Sequence, residues 1–266
     1  MKKLFGLIIF CIMSMNFVQG FALANNNDYA SIYFGSYPKT QISSTDGLTL
    51  DIDYVKKDNK YYKVEPIEWE VIEEDDDSLL LLSKDNIDVK PYSDSRDPSP
   101  TSWGNCALRK WLNSEDFSSN SSEFKDNRDG FLNKAFNDEE KSKIISSNVA
   151  YVEGYSGPFS KLIKETKEIY NQKVFLMSCD EIEGLSKNDS SIIISQNTDF
   201  VNSYRKSCGS DIYSYWLRDS LSENNMLDSF ETGFTVNING KINNKWVERN
   251  SCIRPAIKVD KSTILK

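Results

Sequence analysis

The hexapeptide YWLRDS, at residues 215–220, combines two aromatic rings, an arginine and an aspartate in six consecutive positions. Side chains alternate along an extended strand, so Trp216 and Arg218 are expected on one side and Asp219 on the other. On the first side, Arg218 would bind an acidic group against the aromatic wall of Trp216. The alternative is a core strand in which Arg218 binds carbonyl or carboxylate groups of neighbouring loops. We favour this structural interpretation.

Tyrosine is the other residue type that points to ligand binding. The chain contains 13 tyrosines, and the segments YVEGYSGPFS and DIYSYW concentrate them. Tyrosine and tryptophan offer a large contact area at low entropic cost, so they suit surfaces that bind proteins or glycans. Aromatic residues are equally typical of a core, and both interpretations stay open. The candidate ligand-binding residues are Trp216, Arg218, Asp219, Tyr151 and Tyr155.

Histidine is absent from all 266 residues. This absence excludes Ser–His–Asp and Cys–His catalysis, and it removes the commonest zinc ligand. Carboxylates such as Glu68, Glu70 and Asp219 could pair for glycoside hydrolysis. A chain with 40 acidic residues contains such pairs by chance, however, and Glu68 and Glu70 flank Trp69 on one strand, where we expect them to point to solvent. We therefore predict no catalytic residue, no metal site and no cofactor.

Four cysteines follow the N-terminal segment: Cys106, Cys179, Cys208 and Cys252. An even number in an oxidising compartment permits two disulfide bonds, in any of three pairings. Buried thiols are an equally good interpretation. The wide spacing, without a CxxC pair, argues against a metal site.

The N-terminus has the pattern of a secretory signal. Residues 1–24 begin with MKK, continue with an apolar run and end in ALA, which fits the small-x-small cleavage rule. An uncleaved anchor is the alternative, but the run is short for a membrane span. We predict cleavage near Ala24, a polar leader over residues 25–30, and a secreted or cell-surface protein without a span in its mature chain. The net charge of −8 argues against nucleic acid as a partner.

Hydrophobic patterning predicts the elements at both ends of the chain. Alternation around Trp69, the polar turn EEDDDS and the run LLLL indicate a β-hairpin. The segment ALRKWL, with Trp111 on its apolar face, predicts a helix capped by Ser102 or Asn105. The C-terminal third is rich in strands, and Asn239–Gly240 predicts a type I′ turn. The fold class expected is α+β, with antiparallel sheets, segregated helices and long loops.

The middle of the chain carries weaker signals. A short helix is expected to begin at Asn137 or Asp138. Val174–Met177 predicts a strand that leads into a helix capped by Ser178 or Asp180. The segment GYSGPFSKLIKETKEIYNQ is interpreted as a loop followed by an amphipathic stretch.

Seven sequence blocks in a fixed order resemble the bacterial DUF6273 family. They cover about residues 31–260, and the resemblance implies one domain over residues 31–262. One block departs from the family: the usual sequence WWLRSPG is YWLRDSL here, so the Pro–Gly after the arginine is missing. The loop that follows is therefore expected to take a different path, and its ligand preference cannot be inferred from the family. The blocks read IYFGSYPKTQ, PIEWEVIEEDDDSLLLLSKDNIDVKPY, SWGNCALRKWLNSEDF, AFNDEEKSKII, KVFLMSCDEIEGL, YWLRDS and IRPAIKV.

The last two blocks also resemble, more distantly, the C-type-lectin-like fold of formylglycine-generating enzymes (sulfatase-modifying factors) and of variable bacterial surface receptors. That chemistry would need reactive cysteines, and Cys208 and Cys252 lie in no motif that matches. In IRPA, Arg254 and Pro255 invite the same structural interpretation as Arg218, because planar guanidinium groups tie loops together. The residues expected to be structural are Trp69, Trp111, Arg254 and Pro255.

These observations lead to one functional expectation. The chain is expected to be an exported, non-catalytic binding module for an extracellular glycan or protein. One alternative is a cell-envelope enzyme, either a carboxylate hydrolase or a formylglycine-generating-like thiol oxidase. The other is a structural accessory domain.

Overall fold

The computed structural model describes residues 31–93, 101–115, 124, 129–156, 163–224 and 229–263. These ranges contain fifteen strands, six short α-helices and two 3-10 helices, Gly209–Tyr213 and Lys261–Thr263. The strands are β1 (Ser31–Ile42), β2 (Tyr54–Lys57), β3 (Lys60–Glu74), β4 (Ser78–Ser83), β5 (Asp85–Asn86), β6 (Asp88–Pro91), β7 (Ser147–Ser156), β8 (Ile163–Gln172), β9 (Val174–Phe175), β10 (Gln196–Asn197), β11 (Tyr215–Asn224), β12 (Ser229–Val236), β13 (Ile242–Trp246), β14 (Asn250–Ile253) and β15 (Ala256–Asp260). The helices are α1 (Ala107–Leu112), α2 (Gly130–Ala135), α3 (Asp138–Lys143), α4 (Cys179–Asn188), α5 (Asp199–Asn202) and α6 (Arg205–Cys208).

The first sheet has six strands in the order β1-β3-β4-β15-β9, and β2 pairs with β3. All of its pairings are antiparallel. The predicted hairpin is confirmed as β3 and β4. Strand β4 lies between β3 and β15, which explains why leucines on both of its faces are buried.

The second sheet has seven strands and divides at β11. Its order is β13-β12-β11-β14-β6, while β7 pairs with β11 and β8 pairs with β7. Beside Tyr215, β11 pairs with β12 and β14; from Ser220 onward, it pairs with β12 and β7. The β7–β11 and β11–β14 pairings are parallel, as is the separate two-stranded pairing of β5 with β10, and the expectation of antiparallel sheets did not include them.

Two helix starts are confirmed. Helix α3 begins after Asn137, whose side chain accepts from the Glu140 amide while Glu140 accepts from the Asn137 amide. Helix α4 begins after Ser178, which forms the same reciprocal arrangement with Glu181. Such capping boxes satisfy two amides that the helix itself leaves without partners.

The predicted cap of α1 is wrong. Its N-cap is Cys106, whose Sγ accepts from the Arg109 amide at 3.4 Å. Ser102 and Asn105 instead close the preceding turn, where the Ser102 amide donates to Asn105 Oδ1 at 2.7 Å. Ser102 Oγ also donates to Asn105 Oδ1, at 3.5 Å, so the turn uses both polar side chains before the helix begins.

Two further local predictions are wrong. The stretch interpreted as amphipathic is strand β8, because β7 supplies a partner along its length. The β12–β13 connection is not a type I′ turn, since Gly240 has φ of 72° but Asn239 is not among the residues with positive φ. The Gly240 amide donates to Asn237 O, which is typical of a three-residue loop that ends in a left-handed glycine.

The core lies between the sheets and helices and is rich in aromatic residues. Trp69 and Trp111 are fully buried, and Trp69 Nε1 donates to Phe34 O at 2.7 Å. Pro255 is also buried, and its carbonyl accepts from the Ser83 amide at 2.9 Å. The coarse prediction of an α+β fold with antiparallel sheets is confirmed.

No helix in the part of the chain that the structure describes is long and apolar enough to cross a membrane.

Candidate functional site

The YWLRDS segment forms the first part of β11, and all six of its side chains are buried. The Trp216 ring meets the Tyr92 ring edge-on, with centroids 5.5 Å apart, and its Nε1 donates to Lys90 O at 2.9 Å. Tyr92 in turn donates from its hydroxyl to Arg218 O at 2.6 Å. Trp216 therefore lies in the core and is not the wall of an open pocket.

Arg218 is 3% exposed and directs its guanidinium to partners inside the protein. Its Nε donates to Ala150 O on β7, and its Nη1 donates to Leu176 O at 2.7 Å. Nη1 and Nη2 also donate to the two carboxylate oxygens of Glu181, at 2.6 and 2.5 Å. This bidentate pair matches the planar fork of arginine to a carboxylate. Arg218 thus joins β11 to β7 and to the first turn of α4.

Asp219 binds the same two elements from the next position. Its Oδ1 accepts from the Val152 amide on β7, and its Oδ2 accepts from the Cys179 amide at the start of α4, both at 2.7 Å. The predicted alternation placed Arg218 and Asp219 on opposite sides of a strand. A register shift between Trp216 and Ser220 interrupts that alternation, so both side chains reach β7. We call Arg218, Asp219 and Glu181 the Arg218–Asp219 clamp.

The clamp holds the two residues that flank Tyr151. Tyr151 is buried, and a Cβ added at Gly104 would come within 2.6 Å of its hydroxyl oxygen. Gly104 therefore gives the hydroxyl its space. Tyr155 lies further along β7, where its backbone is paired with Ser222, but its side chain is outside the described residues. The structure thus brings Trp216, Arg218, Asp219 and Tyr151 together in the interior, and their role in ligand binding stays a prediction.

Arg254 forms a second buried centre between the sheets. Its Nε donates to Ser83 O at 2.8 Å, its Nη1 to Ile192 O at 2.7 Å, and its Nη2 to Glu70 Oε2 at 2.9 Å. The guanidinium also lies 5.4 Å from the centroid of the Tyr215 ring. Arg254 follows β14 of one sheet and precedes β15 of the other. Its bonds to Ser83 and Glu70 of the first sheet, together with the Tyr215 ring of the second, therefore connect the two sheets.

Glu68 and Glu70 do not point freely into solvent as expected. Glu68 pairs with Lys84 at 2.7 Å, and Glu70 pairs with Arg254. Their side chains are 16% and 18% exposed, because neighbouring strands and the paired cations cover them. Burial raises the pKa of Glu70 to about 7, although Arg254 and Lys84 act in the opposite direction.

This raised pKa predicts a pH dependence of stability. Between the ordinary value of 4.5 and about 7, the folded state holds a proton on Glu70 that the unfolded state lacks. Protons bound only in the folded state make stability fall as pH rises, so the contribution of Glu70 should decrease across this window and be constant outside it. Urea unfolding of the wild type and of Glu70→Gln across the window tests this. A difference between the two proteins that does not change with pH would contradict it.

The four cysteines carry thiols in the structure and form no disulfide bonds. Burial raises the pKa of Cys252, whose Sγ donates to Ile212 O at 2.8 Å. Burial, followed by the charge of Asp219, raises the pKa of Cys179. Thiols with raised pKa values are weak nucleophiles, because the thiolate is the reactive form.

The described ranges contain a groove that is too small for a small-molecule ligand, and they contain no cluster of metal-binding side chains. A groove beside Tyr37, Ile67 and Asp85 has a volume of about 20 Å³. That volume holds about one water molecule, whereas pockets for small molecules occupy roughly 300–1,000 Å³. Among residues 31–93, 101–115, 124, 129–156, 163–224 and 229–263, no three Cys, Asp or Glu side chains converge as a metal site.

The sequence analysis missed an exposed aromatic surface on β13. Trp246 is 50% exposed, and the Arg249 guanidinium lies 5.9 Å from its ring centroid. Alternation along β13 places Ile242 and Asn244 on the same face as Trp246, and Phe234 of β12 is paired with Asn244. We call Trp246, Asn244, Ile242 and Phe234 the Trp246 surface. The alternating segment INNKW after the Asn–Gly turn was the signal that could have revealed it.

A family model described as a domain of unknown function (DUF6273) matches residues 76–261. No curated protein and no solved structure matches the chain. Strands β1, β2 and β3 precede the match, although β3 pairs with β4 inside it. Because the match covers well over half of the sequence, the chain belongs to the DUF6273 family.

Proposed function

We propose that the chain is an exported, non-catalytic module that binds an extracellular glycan, on a scaffold of the C-type-lectin-like kind. The N-terminal pattern from MKK to ALA supports export, with Asn25 as the first mature residue. The late blocks YWLRDS and IRPA support the lectin-like scaffold. The Trp246 surface supports binding, and it is the observation on which the proposal depends.

The Trp246 surface combines the two properties that a sugar requires. A pyranose ring has an apolar face of C–H groups, which packs against an exposed indole such as that of Trp246. Its hydroxyl groups both donate and accept hydrogen bonds, as does the side-chain amide of Asn244 two positions away on the same face. Arg249 beside the ring adds donors, and these favour a sugar that carries a carboxylate.

The Trp246 surface also belongs to a rigid part of the fold. Strand β13 pairs with β12 at five consecutive positions, from Thr232–Trp246 to Val236–Ile242. Phe234 and Ile242 are partly buried and pack against the core. A rigid surface loses little conformational entropy when a ligand binds, so even a small contact area supports measurable affinity.

The proposal predicts that Trp246→Ala abolishes most of the binding. Loss of a central tryptophan costs about 2 kcal/mol of binding free energy, which is roughly thirtyfold in Kd. Affinity electrophoresis and titration calorimetry of the mature chain against neutral and acidic bacterial polysaccharides measure the effect. Tyr170→Ala is the matched control, because Tyr170 is an exposed aromatic residue on a different strand and its loss should leave Kd unchanged.

Three outcomes would contradict the proposal. The wild type could bind none of the polysaccharides, Trp246→Ala could bind as well as the wild type, or the protein could cleave a polysaccharide. The third outcome would favour the competing function, a carboxylate hydrolase of the cell envelope. Glu70 supports that function, since a carboxyl with a pKa near 7 suits a general acid, and Glu70→Gln should then abolish turnover.

A further inference from the structure

Strand β8 has an edge to which no described strand is paired. It pairs with β7 on one side only, from Ser147–Gln172 to Tyr155–Ile163. Its residues from Lys164 to Glu168 are all exposed. An unpaired edge presents a row of amide and carbonyl groups, which is a template for another strand.

The exposed residues of β8 have a self-complementary order of charges. They read Lys164, Glu165, Thr166, Lys167 and Glu168. When two copies of β8 run antiparallel with Thr166 opposite Thr166, each Lys164 lies opposite a Glu168. Each Glu165 likewise lies opposite a Lys167. Directly opposed residues share one face of a sheet, so the opposite charges meet.

We propose that β8 is an interaction surface for a second copy of this chain. Two β8 strands pair antiparallel about a two-fold axis through Thr166, and the two seven-stranded sheets become one continuous sheet. A two-fold axis makes the contact closed, since the same surface serves both subunits. The proposal is independent of ligand binding at the Trp246 surface.

Other registers of the same two strands are unfavourable. A slip of one residue in either direction places Lys164 opposite Lys167 or Glu165 opposite Glu168. A slip of two residues places Glu165 or Lys167 opposite its own copy. Parallel pairing in register opposes every charge to itself. Like charges directly opposite each other destabilise a sheet, so the charge order selects the register centred on Thr166.

The existing ion pairs on β8 are compatible with this contact. Lys167 lies 2.8 Å from Glu153 of β7 and 3.9 Å from Glu165 on its own strand. In the dimer, Glu165 of the second copy would lie opposite Lys167 and add a further carboxylate beside it. Lys164 and Glu168 make no ion pair within the described part of the chain, so the dimer would give them their first partners. Charged residues also keep edge strands apart, but a protective edge gains nothing from a self-complementary order.

Charge reversal tests the proposal directly. Analytical ultracentrifugation at low ionic strength should show a reversible dimer of the mature wild type. The variants Lys164→Glu/Lys167→Glu and Glu165→Lys/Glu168→Lys should each be monomeric, because every opposed pair then carries like charges. An equimolar mixture of the two variants should dimerise again, since all four opposed pairs regain opposite charge. The proposal would be overturned if the wild type is monomeric, if either variant dimerises by itself, or if the mixture stays monomeric.

A cross-link tests the register. Thr166→Cys places two thiols opposite each other at the axis, within the Cα separation of roughly 4.4–6.8 Å that a disulfide spans. Tyr170→Cys is the control on the same strand, because its two copies would be about 26 Å apart. Under mild oxidation, Thr166→Cys should form a covalent dimer, whereas Tyr170→Cys and the wild type should not. Equal cross-linking of the two variants would overturn the register.

Discussion

Replacing Arg254 with methionine is expected to lower the free energy of unfolding by about 3–5 kcal/mol. Methionine retains much of the packed volume but leaves Ser83 O, Ile192 O and the Glu70 carboxylate without their buried donor. Unpaired buried acceptors each carry a desolvation cost, and the two sheets lose the side chain that joins them. Urea denaturation followed by tryptophan fluorescence at neutral pH measures the change.

Two further variants identify the cause of that loss. In Arg254→Met/Glu70→Gln the carboxylate is gone, so the double variant should be more stable than the sum of the two single changes predicts, by about 0.5–3 kcal/mol. Arg205→Met replaces an exposed arginine and should change stability by less than about 0.5 kcal/mol. Strict additivity of the Arg254 and Glu70 changes would show that the pair is not coupled.

Replacing Arg218 with methionine is expected to lower the free energy of unfolding by about 3 kcal/mol. The effect should be smaller than at Arg254, because the Glu181 side chain is 39% exposed and water can solvate its charge once the pair is broken. Ala150 O and Leu176 O nevertheless lose their donor. The same denaturation experiment measures this change.

The loss at Arg218 should also be local. The Arg218–Asp219 clamp attaches β7 to β11 and α4, so Arg218→Met should speed hydrogen exchange at the Val152 amide, which donates to Asp219. The Leu81 amide, in the other sheet, exchanges through global unfolding and should be accelerated only by the factor that corresponds to the fall in global stability, whereas Val152 should be accelerated more. Equal acceleration at both amides would argue against a local role for the clamp.

Both arginines were singled out from sequence because planar guanidinium groups often tie loops together inside a fold. The sequence could not identify their partners. Carbonyl groups and a carboxylate were the expected kinds of partner, and both arginines bind groups of these kinds. In the sequence, however, nothing distinguishes Glu181 and Glu70 from the other glutamates. The exposed position of Trp246 could not be predicted either, because an aromatic residue on a strand is as typical of a core as of a surface.

Local chemistry by itself determined several elements of this protein. The starts of α3 and α4 follow from side chains three residues apart that satisfy each other's backbone, so no distant contact is needed. The hairpin of β3 and β4 follows in the same way from an alternating strand, a polar turn and an apolar run.

Only the tertiary structure decided how these elements meet. Strand β8 has charged residues on both faces and becomes a strand because β7 pairs with it. The partners of Arg218 and Asp219 lie between 37 and 68 residues away in the chain, and a register shift in β11 turns both side chains toward them. Local patterns encode the conformation of neighbouring residues, whereas such contacts depend on which strands pair, and that is fixed only when the whole core assembles.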